Sequence, residues 1–255
     1  MNKVPLSVTI LAKNEEKNIT ECLESVVNWA DEVMVIDDES TDRTAELAQR
    51  LGAKVFHRRM ENEGKHRNWA YAQARNEWVL SLDADETVTK ELQEEIRQSL
   101  KEGKFESFSI PIKTYIGKFW VKHCGWYPAN KLRMFMKSKQ WYEEVEVHPR
   151  VANFITCGLL TKDIIHKGYP NFAHFIDGLN RQTTLEARKW IRDNRQVSLA
   201  KAIWKMLDRF FRTFLGKAGF KDGFVGFMVS YFAGAYQIIS YAKYREMKRS
   251  KAKTK

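Results

Sequence analysis

Residues 78–86 read WVLSLDADE, an apolar run that stops at Asp83-Ala84-Asp85-Glu86. Trp78 to Leu82 reads as a strand, and the helical pattern from about Thr89 to Lys101, closed by Gly103, follows it. The same alternation fills the residues before it. Leu6 to Ala12 is a β-rich run, followed by the polar loop Lys13, Asn14, Glu15, Glu16 and a helical spacing through Ile19, Leu23, Val26 and Val27. Val33 to Ile36 is a second strand ending in Asp37 and Asp38. Helical spacing returns through Thr44, Leu47, Ala48 and Leu51, with Ser40 or Thr41 as the expected N-cap and Gly52 just past the end. Val55 to His57 is a short third strand, and Lys65 to Arg75 reads as a helix. The order predicts an α/β fold with a mostly parallel central sheet covered on both faces.

Beyond this half the character changes. Residues 105–166 are short β-prone pieces rich in aromatic residues, which predicts a small mixed or antiparallel extension closing over a site. From Leu179 to Leu215 there is neither Gly nor Pro, and no Pro follows Pro170, so the rest should be a helical C-terminal region. The expected division is 1–170 for binding and catalysis and 171–255 for docking.

Composition narrows the classes. The chain has 255 residues, 44% hydrophobic and 29% charged, which excludes disordered and fibrous proteins. Cys22, Cys124 and Cys157 are far apart and form no CxxC pair, so neither a disulfide framework nor a thiolate metal site is expected, as suits a reducing cytoplasm. The stretch MNKVPLSVTILAKNEE is broken by Pro5 and Ser7 and carries no cleavage pattern, so no signal peptide is expected.

In an open α/β sheet, ligands sit outside the carboxyl ends of the strands, where loops and helix N-termini converge. Asn14 and Glu15 follow the first strand here, Asp37 and Asp38 the second, Asp83 and Asp85 the fourth. A lone Asp at a strand end often only caps the next helix. An Asp-x-Asp pair beside a second acidic pair instead suits a hard divalent cation, Mg²⁺ or Mn²⁺, with room left for phosphate oxygens. Such an ion bridges a diphosphate and stabilises it as a leaving group.

The segments VTILAKNEEKNITECLESV, DEVMVIDDESTDRTAELA and GKHRNWAYAQARNEWVLSLDADE, with VEVHPRV, IIHKGYPNF and GFKDGFVGFMVSYFAGAYQIISYAKY downstream, resemble the family 2 glycosyltransferases of GT-A fold. Within that family the chain looks closest to bacterial lipopolysaccharide-core β-glucosyltransferases, which act at the cytoplasmic face of the inner membrane. The resemblance implies roles residue by residue. Ala12, Asn14 and Glu15 should approach the nucleotide base, and Asp38 with Asp37 should hold base or ribose. Asp42 either shares that task or caps its own turn. Asp83 should contact ribose or metal, Asp85 should ligate the metal, and His166 either joins it or is a core histidine. Arg67, before Asn68 in the family's RN position, is a phosphate or acceptor contact or else a surface helix arginine.

An inverting transferase also needs a carboxylate that takes the acceptor proton. The candidates lie in WYEEVEVHP, residues 141–149, where relatives often carry Val-His-Glu and this chain has Val147-His148-Pro149. On an alternating strand Glu144 and Glu146 share a face, with Glu146 the first candidate and Glu144 the second. Trp120, Trp126, Tyr127 and Trp141 either form a sugar platform or pack a core.

Charge points to a partner. The net charge is +11, and from Lys201 onward 13 Lys and Arg stand against 3 Asp and Glu. Gly223 to Ala242 is 20 residues without charge, about 30 Å as a helix. Gly226, Ser230, Gly234 and Gln237 make a small or polar stripe along it, so it is expected to lie in the membrane interface or pack on the body rather than span. The expectation is a metal-dependent inverting hexosyltransferase, with a UDP-sugar donor, a lipid-linked saccharide acceptor and an anionic membrane surface as partners. Another polysaccharide, lipid or peptide acceptor stays open. LSLDADET also fits a haloacid-dehalogenase-like phosphatase, but no acidic pair follows on a later strand. A nucleic-acid binder leaves the strand-end carboxylates unexplained, and no nucleic acid is expected.

Overall fold

The computed structural model describes residues 3–144, 151 and 156–253. The chain divides into two compact units, Met1–Ile112 with Ala129–His166, and Lys113–Pro128 with Lys167–Lys255.

In the first unit the strands are β1 (Val4–Ala12), β2 (Ala30–Asp37), β3 (Lys54–His57), β4 (Trp78–Asp83) and β5 (Glu86–Val88), with helices α1 (Ile19–Glu24), α2 (Thr44–Arg50), α3 (Glu63–Ala72) and α4 (Lys90–Glu102) between them. The chain continues through β6 (Ser107–Ile110), β7 (Ile112–Ile116), β8 (Phe119–Trp120), β9 (Lys131–Met136), β10 (Cys157–Leu159) and β11 (Ile164–Tyr169). Seven strands form one sheet in the order β10-β6-β9-β4-β1-β2-β3. β1 is parallel to β2 and β4, β2 is parallel to β3, and β9 runs antiparallel to both β4 and β6. The aromatic extension therefore contributes three strands, β6, β9 and β10, to the central sheet itself.

The period of two sorts side chains to the two faces. Val33 and Val35 of β2 and Leu80 and Leu82 of β4 join Ile19, Leu23, Ala48, Leu92 and Ile96 of α1, α2 and α4 on one face. Met34, Ile36 and Val79 face the other way, onto Ala70 and Tyr71 of α3 and Phe135 of β9. Burial on both faces explains why these strands are apolar throughout.

Helix ends follow local chemistry. Asn62 caps α3 by accepting from Lys65 N, and Thr89 caps α4 by accepting from Leu92 N. Gly103 closes α4 in the left-handed region at φ 61°. Two boundaries differ from expectation. Helix α2 starts at Thr44 because Asp42 Oδ1 accepts from Thr44 N, while Ser40 Oγ and Thr41 N are taken up by Asn14. Helix α3 ends at Ala72 because Gln73 N and Ala74 N turn back onto Ala70 O and Tyr71 O, and the Arg75 guanidinium pairs with Asp31. All three cysteines are free thiols.

The second unit is mainly helical: α5 (Phe172–Arg192), α6 (Leu199–Phe211), a π-helical turn (Arg212–Gly216), a 3-10 turn (Gly219–Asp222) and α7 (Gly223–Lys253). Its core holds Val121, Cys124, Phe175 and Val229, with a second cluster of Ala187, Trp190, Ala202, Tyr241 and Tyr244. The small stripe of α7 is a packing face: a Cβ on Gly226 would overlap Gly219 O, and one on Gly234 would lie 2.7 Å from Met206 O.

Candidate active site

Strand order makes the site. The chain winds outward through β1, β2 and β3 and then returns to place β4 on the other side of β1, the switch point at which a crevice opens. Register brings the strand ends level, since Ala12 pairs with Asp37 and Leu11 with Asp83. A pocket of about 210 Å³ lies there, bounded by Ala12 and Lys13, Asp38 and Met60, His66 and Arg67 of α3, and Asp83.

Asp38 and Asp37 have separate tasks. Asp38 Oδ1 accepts from Met60 N at 2.7 Å and Oδ2 from Lys13 Nζ at 2.9 Å. Burial opposes its charge, but the Met60 and Lys13 hydrogen bonds outweigh that and hold its pKa below the usual carboxylate range. Asp37 is buried beside it, accepting at Oδ2 from Ser40 N and 3.1 Å from His57 Nδ1, and its Oδ1 has no partner among the described residues. Asn14, at φ 56°, donates from N to Ser40 Oγ and accepts from Thr41 N, pinning one strand-end loop to the next. Glu15 N donates to Thr44 Oγ1 in the same junction. Asp42 accepts from Thr44 N, Thr44 Oγ1 and Glu16 N, and these bonds lower its pKa against the effect of burial. Its carboxylate is committed to the turn.

Asp83 is held by two guanidiniums. Arg133 Nη2, on β9, donates to Asp83 Oδ2 at 2.9 Å and to Glu86 Oε1 at 2.5 Å, and Arg67 Nη2 lies 3.7 Å from Asp83 Oδ1. Burial alone would raise the Asp83 pKa; Arg133 and Arg67 outweigh it and keep the carboxyl well below its ordinary range. Glu86 is fully buried, and burial raises its pKa despite Arg133. Arg67 is thus no surface arginine: its side chain is 15% exposed and also donates to Glu63 Oε1.

Asp85 meets His166. Antiparallel pairing of β5 with β11 sets His166 opposite Glu86, and its Nε2 lies 3.2 Å from Asp85 Oδ2. Burial disfavours the imidazolium, yet Asp85 and Glu86 prevail and raise the His166 pKa. Bonds of about 2.1 Å to an octahedral ion place neighbouring ligands about 3 Å apart, so this oxygen–nitrogen pair has the spacing of two such ligands. Imidazole suits Mn²⁺ better than Mg²⁺. Among the described residues no three His, Cys, Asp or Glu side chains converge on one point.

The base candidates divide. Glu146 lies outside the described residues. Glu144 is exposed beside the N-terminus of α3, with Lys65 Nζ 3.6 Å from its carboxylate and Asn62 Nδ2 donating to its carbonyl. The expected alternating strand is reduced, among the described residues, to a single bridge between Tyr142 and Val151. Asn68 fixes that bridge by donating from Nδ2 to Tyr142 O at 2.9 Å and accepting from Tyr142 N at 2.8 Å. Of the aromatic residues read as a sugar platform or a packed core, one takes the core reading. Trp126 packs on Tyr169 and Phe175 in the second unit's core, Trp120 meets Tyr127 edge-on, and Trp141 is exposed.

Sequence reasoning missed the roles of Arg133, Glu86 and His66. Arg133 had a signal, a single cation in the apolar run LRMFM, because a charge on a buried strand requires a partner. His66, on the pocket wall, is 3% exposed with Nδ1 unpartnered among the described residues, and burial lowers its pKa.

Comparison with known proteins accords with this arrangement. The model of "Glycosyl transferase family 2" matches residues 7–151. An uncharacterized glycosyltransferase of Rickettsia typhi is 28% identical over 95% of this chain and 87% of its own length. The lipopolysaccharide core biosynthesis glycosyltransferase LpsC of Rhizobium meliloti is 24% identical over 98% of this chain and 96% of its own. The crystal structure of S. aureus TarS 1-349 in complex with UDP covers 100% of this chain and 92% of that one, with 17% identity and a TM-score of 0.51, a likeness of fold. With acidic groups and arginines gathered at the carboxyl ends of β1, β2 and β4 and a family match over residues 7–151, more than half of the chain, the chain belongs to glycosyl transferase family 2 and is a glycosyltransferase.

Proposed function

We propose that the protein is a metal-dependent inverting glycosyltransferase that moves a hexose, glucose first among the candidates, from a UDP-sugar to a membrane-associated acceptor such as lipopolysaccharide inner core. The observation that carries this reading is the pocket of Ala12, Asp38, Arg67 and Asp83 at the sheet's switch point, with the Asp85–His166 pair on the next turn. The UDP in the TarS complex supports the donor nucleotide, and the name of LpsC supports the acceptor class.

In this reading Asp38 receives the ribose or base, with Lys13 and Met60 N keeping it ionised. Ala12 and the Asn14–Glu15 loop form the floor beneath the base. Arg67 and Arg133 orient Asp83 toward the ribose or metal and set positive charge near the diphosphate. Asp85 and His166 would hold Mn²⁺ or Mg²⁺, whose charge neutralises the departing nucleoside diphosphate. Glu146 takes the acceptor proton, with Glu144 second, on the segment that Asn68 anchors at Tyr142. Residues 1–170 then serve donor binding and chemistry, and 171–255 dock the enzyme at the inner face of the bacterial inner membrane.

A thermal-shift screen of nucleotide sugars with and without Mn²⁺ tests the reading. A UDP-sugar at a hundred times its dissociation constant should stabilise the fold by about 2.7 kcal/mol. No shift with any nucleotide sugar, metal present, overturns it.

A further inference from the structure

We infer that the protein seats itself on an anionic bilayer through one face of α6 and the aromatic turn that follows, lying in the interface without crossing it. The inference deepens the reading of a membrane-held acceptor and rests on it. The second unit alone supplies the observations.

Helix α6 has three longitudinal faces. Ala202, Met206 and Phe210 turn inward, the latter two against Gly234 of α7. Leu199, Ile203, Leu207 and Phe211 recur every four residues and stand in solvent, with Trp204 beside them at 64% exposure. Lys201, Lys205 and Arg209, also spaced by four, occupy the side of the helix opposite the Leu199–Phe211 row, beyond Trp204. A stripe of large apolar side chains on one side of a helix with cations on the other is the pattern of a helix that lies in the headgroup layer.

The pattern extends past the helix. Phe214 contacts Phe210, Phe220 and Phe227, and Phe227 stacks on Tyr231, so the two turns and the start of α7 form one aromatic surface. At its edge Leu215 and Phe224 are 57% and 70% exposed. A contiguous apolar surface of this kind marks an interaction site.

Charge identifies the occupant. Between Ser198 and Tyr231 six Lys and Arg stand against two acidic residues. Asp208 pairs with Arg212 and Asp222 is buried, accepting from His123 N, so Lys201, Lys205, Arg209, Lys217 and Lys221 carry the positive charge of this segment. A second copy would bring the same net positive charge against itself, whereas anionic headgroups complement it.

Spanning is the competing mode, since the helix over Gly219–Ser250 is long and apolar enough to cross a bilayer. Yet Gly226 and Gly234 of α7 are packed against Gly219 and Met206, and Lys243 Nζ is surrounded by Asn180 O, Asn180 Oδ1, Thr183 Oγ1 and Thr184 Oγ1 of α5. A crossing would strip those contacts from a charged group.

Flotation of the full chain with vesicles of phosphatidylcholine, alone or with about 30% phosphatidylglycerol, tests the inference. The wild type should float with the anionic vesicles, and brominated acyl chains should quench Trp204 in them. Because the substituted side chains are already solvated, Leu207→Asp with Phe211→Asp should keep the fold and UDP binding while losing flotation. Reversing Lys201, Lys205 and Arg209 to Glu should weaken anionic-vesicle binding about a hundredfold. Flotation of the Leu207→Asp, Phe211→Asp variant at wild-type level overturns the inference. So does a wild-type dimer in sedimentation that this variant abolishes, or retention in membranes through alkaline carbonate, which would place α7 across the bilayer. Flotation needs neither donor nor acceptor, so flotation without UDP binding would count against the proposed function alone.

Discussion

Arg133 Nη2 donates to both Asp83 Oδ2, at 2.9 Å, and Glu86 Oε1, at 2.5 Å. One guanidinium, 5% exposed, therefore serves two carboxylates of the Asp83–Glu86 turn from a strand that lies 50 residues away in sequence from Asp83 and 47 from Glu86.

Arg133→Met should leave Glu86 buried without its guanidinium partner, at a cost of about 3–5 kcal/mol in urea unfolding. The sign of its pH dependence follows from Asp83. A carboxyl held below its unfolded value stabilises the fold above about pH 3.9, and that stability is lost as pH falls through the folded value. The variant should therefore lose less stability than the wild type on acidification below pH 4. Glu86, whose pKa is raised, acts in the opposite sense, so Glu86→Gln should be far milder.

Asn68→Ala should remove both hydrogen bonds to the Tyr142 backbone. Kinetics should show kcat reduced about tenfold to a hundredfold with donor KM little changed, as for a residue that positions a catalytic segment. An equal rise in donor KM would instead place Asn68 in the donor site.

Asp42→Ala should cost about 1 kcal/mol through loss of the bonds to Thr44 and Glu16. UDP affinity should stay at the wild-type value, since this carboxylate is committed to the turn.

Gly226→Val should unfold or displace α7, because the new side chain would occupy the position of Gly219 O. Gly103→Ala, where nothing lies within 4 Å and only φ 61° opposes it, should cost about 1 kcal/mol by thermal denaturation.

The parallel core was legible because its strands are buried on both faces and so are written as apolar runs, each ended by the polar residues that line the crevice. Asp38, Asp83 and Asp85 were visible for the same reason. Arg133 announced only that a buried cation needs a partner; which partner was hidden, because β9 reaches β4 by long-range antiparallel pairing that no local period encodes. The start of α2 was misplaced for a related reason. Ser40 and Thr41 have the chemistry of caps, but Asn14, far away in sequence, engages both and leaves Asp42 to hold Thr44. The small stripe of α7 was readable as a contact face, whereas the face of α6 that stays in solvent required knowing which side α7 covers.

Calorimetric titration of UDP into wild type and Asp85→Ala, each with and without Mn²⁺, tests the central claim most directly. The wild type should bind UDP at least about tenfold more tightly with Mn²⁺, and Asp85→Ala should lose that gain while keeping its metal-free affinity. Equal UDP affinity with and without metal in the wild type, or an Mn²⁺ gain undiminished in Asp85→Ala, would contradict it.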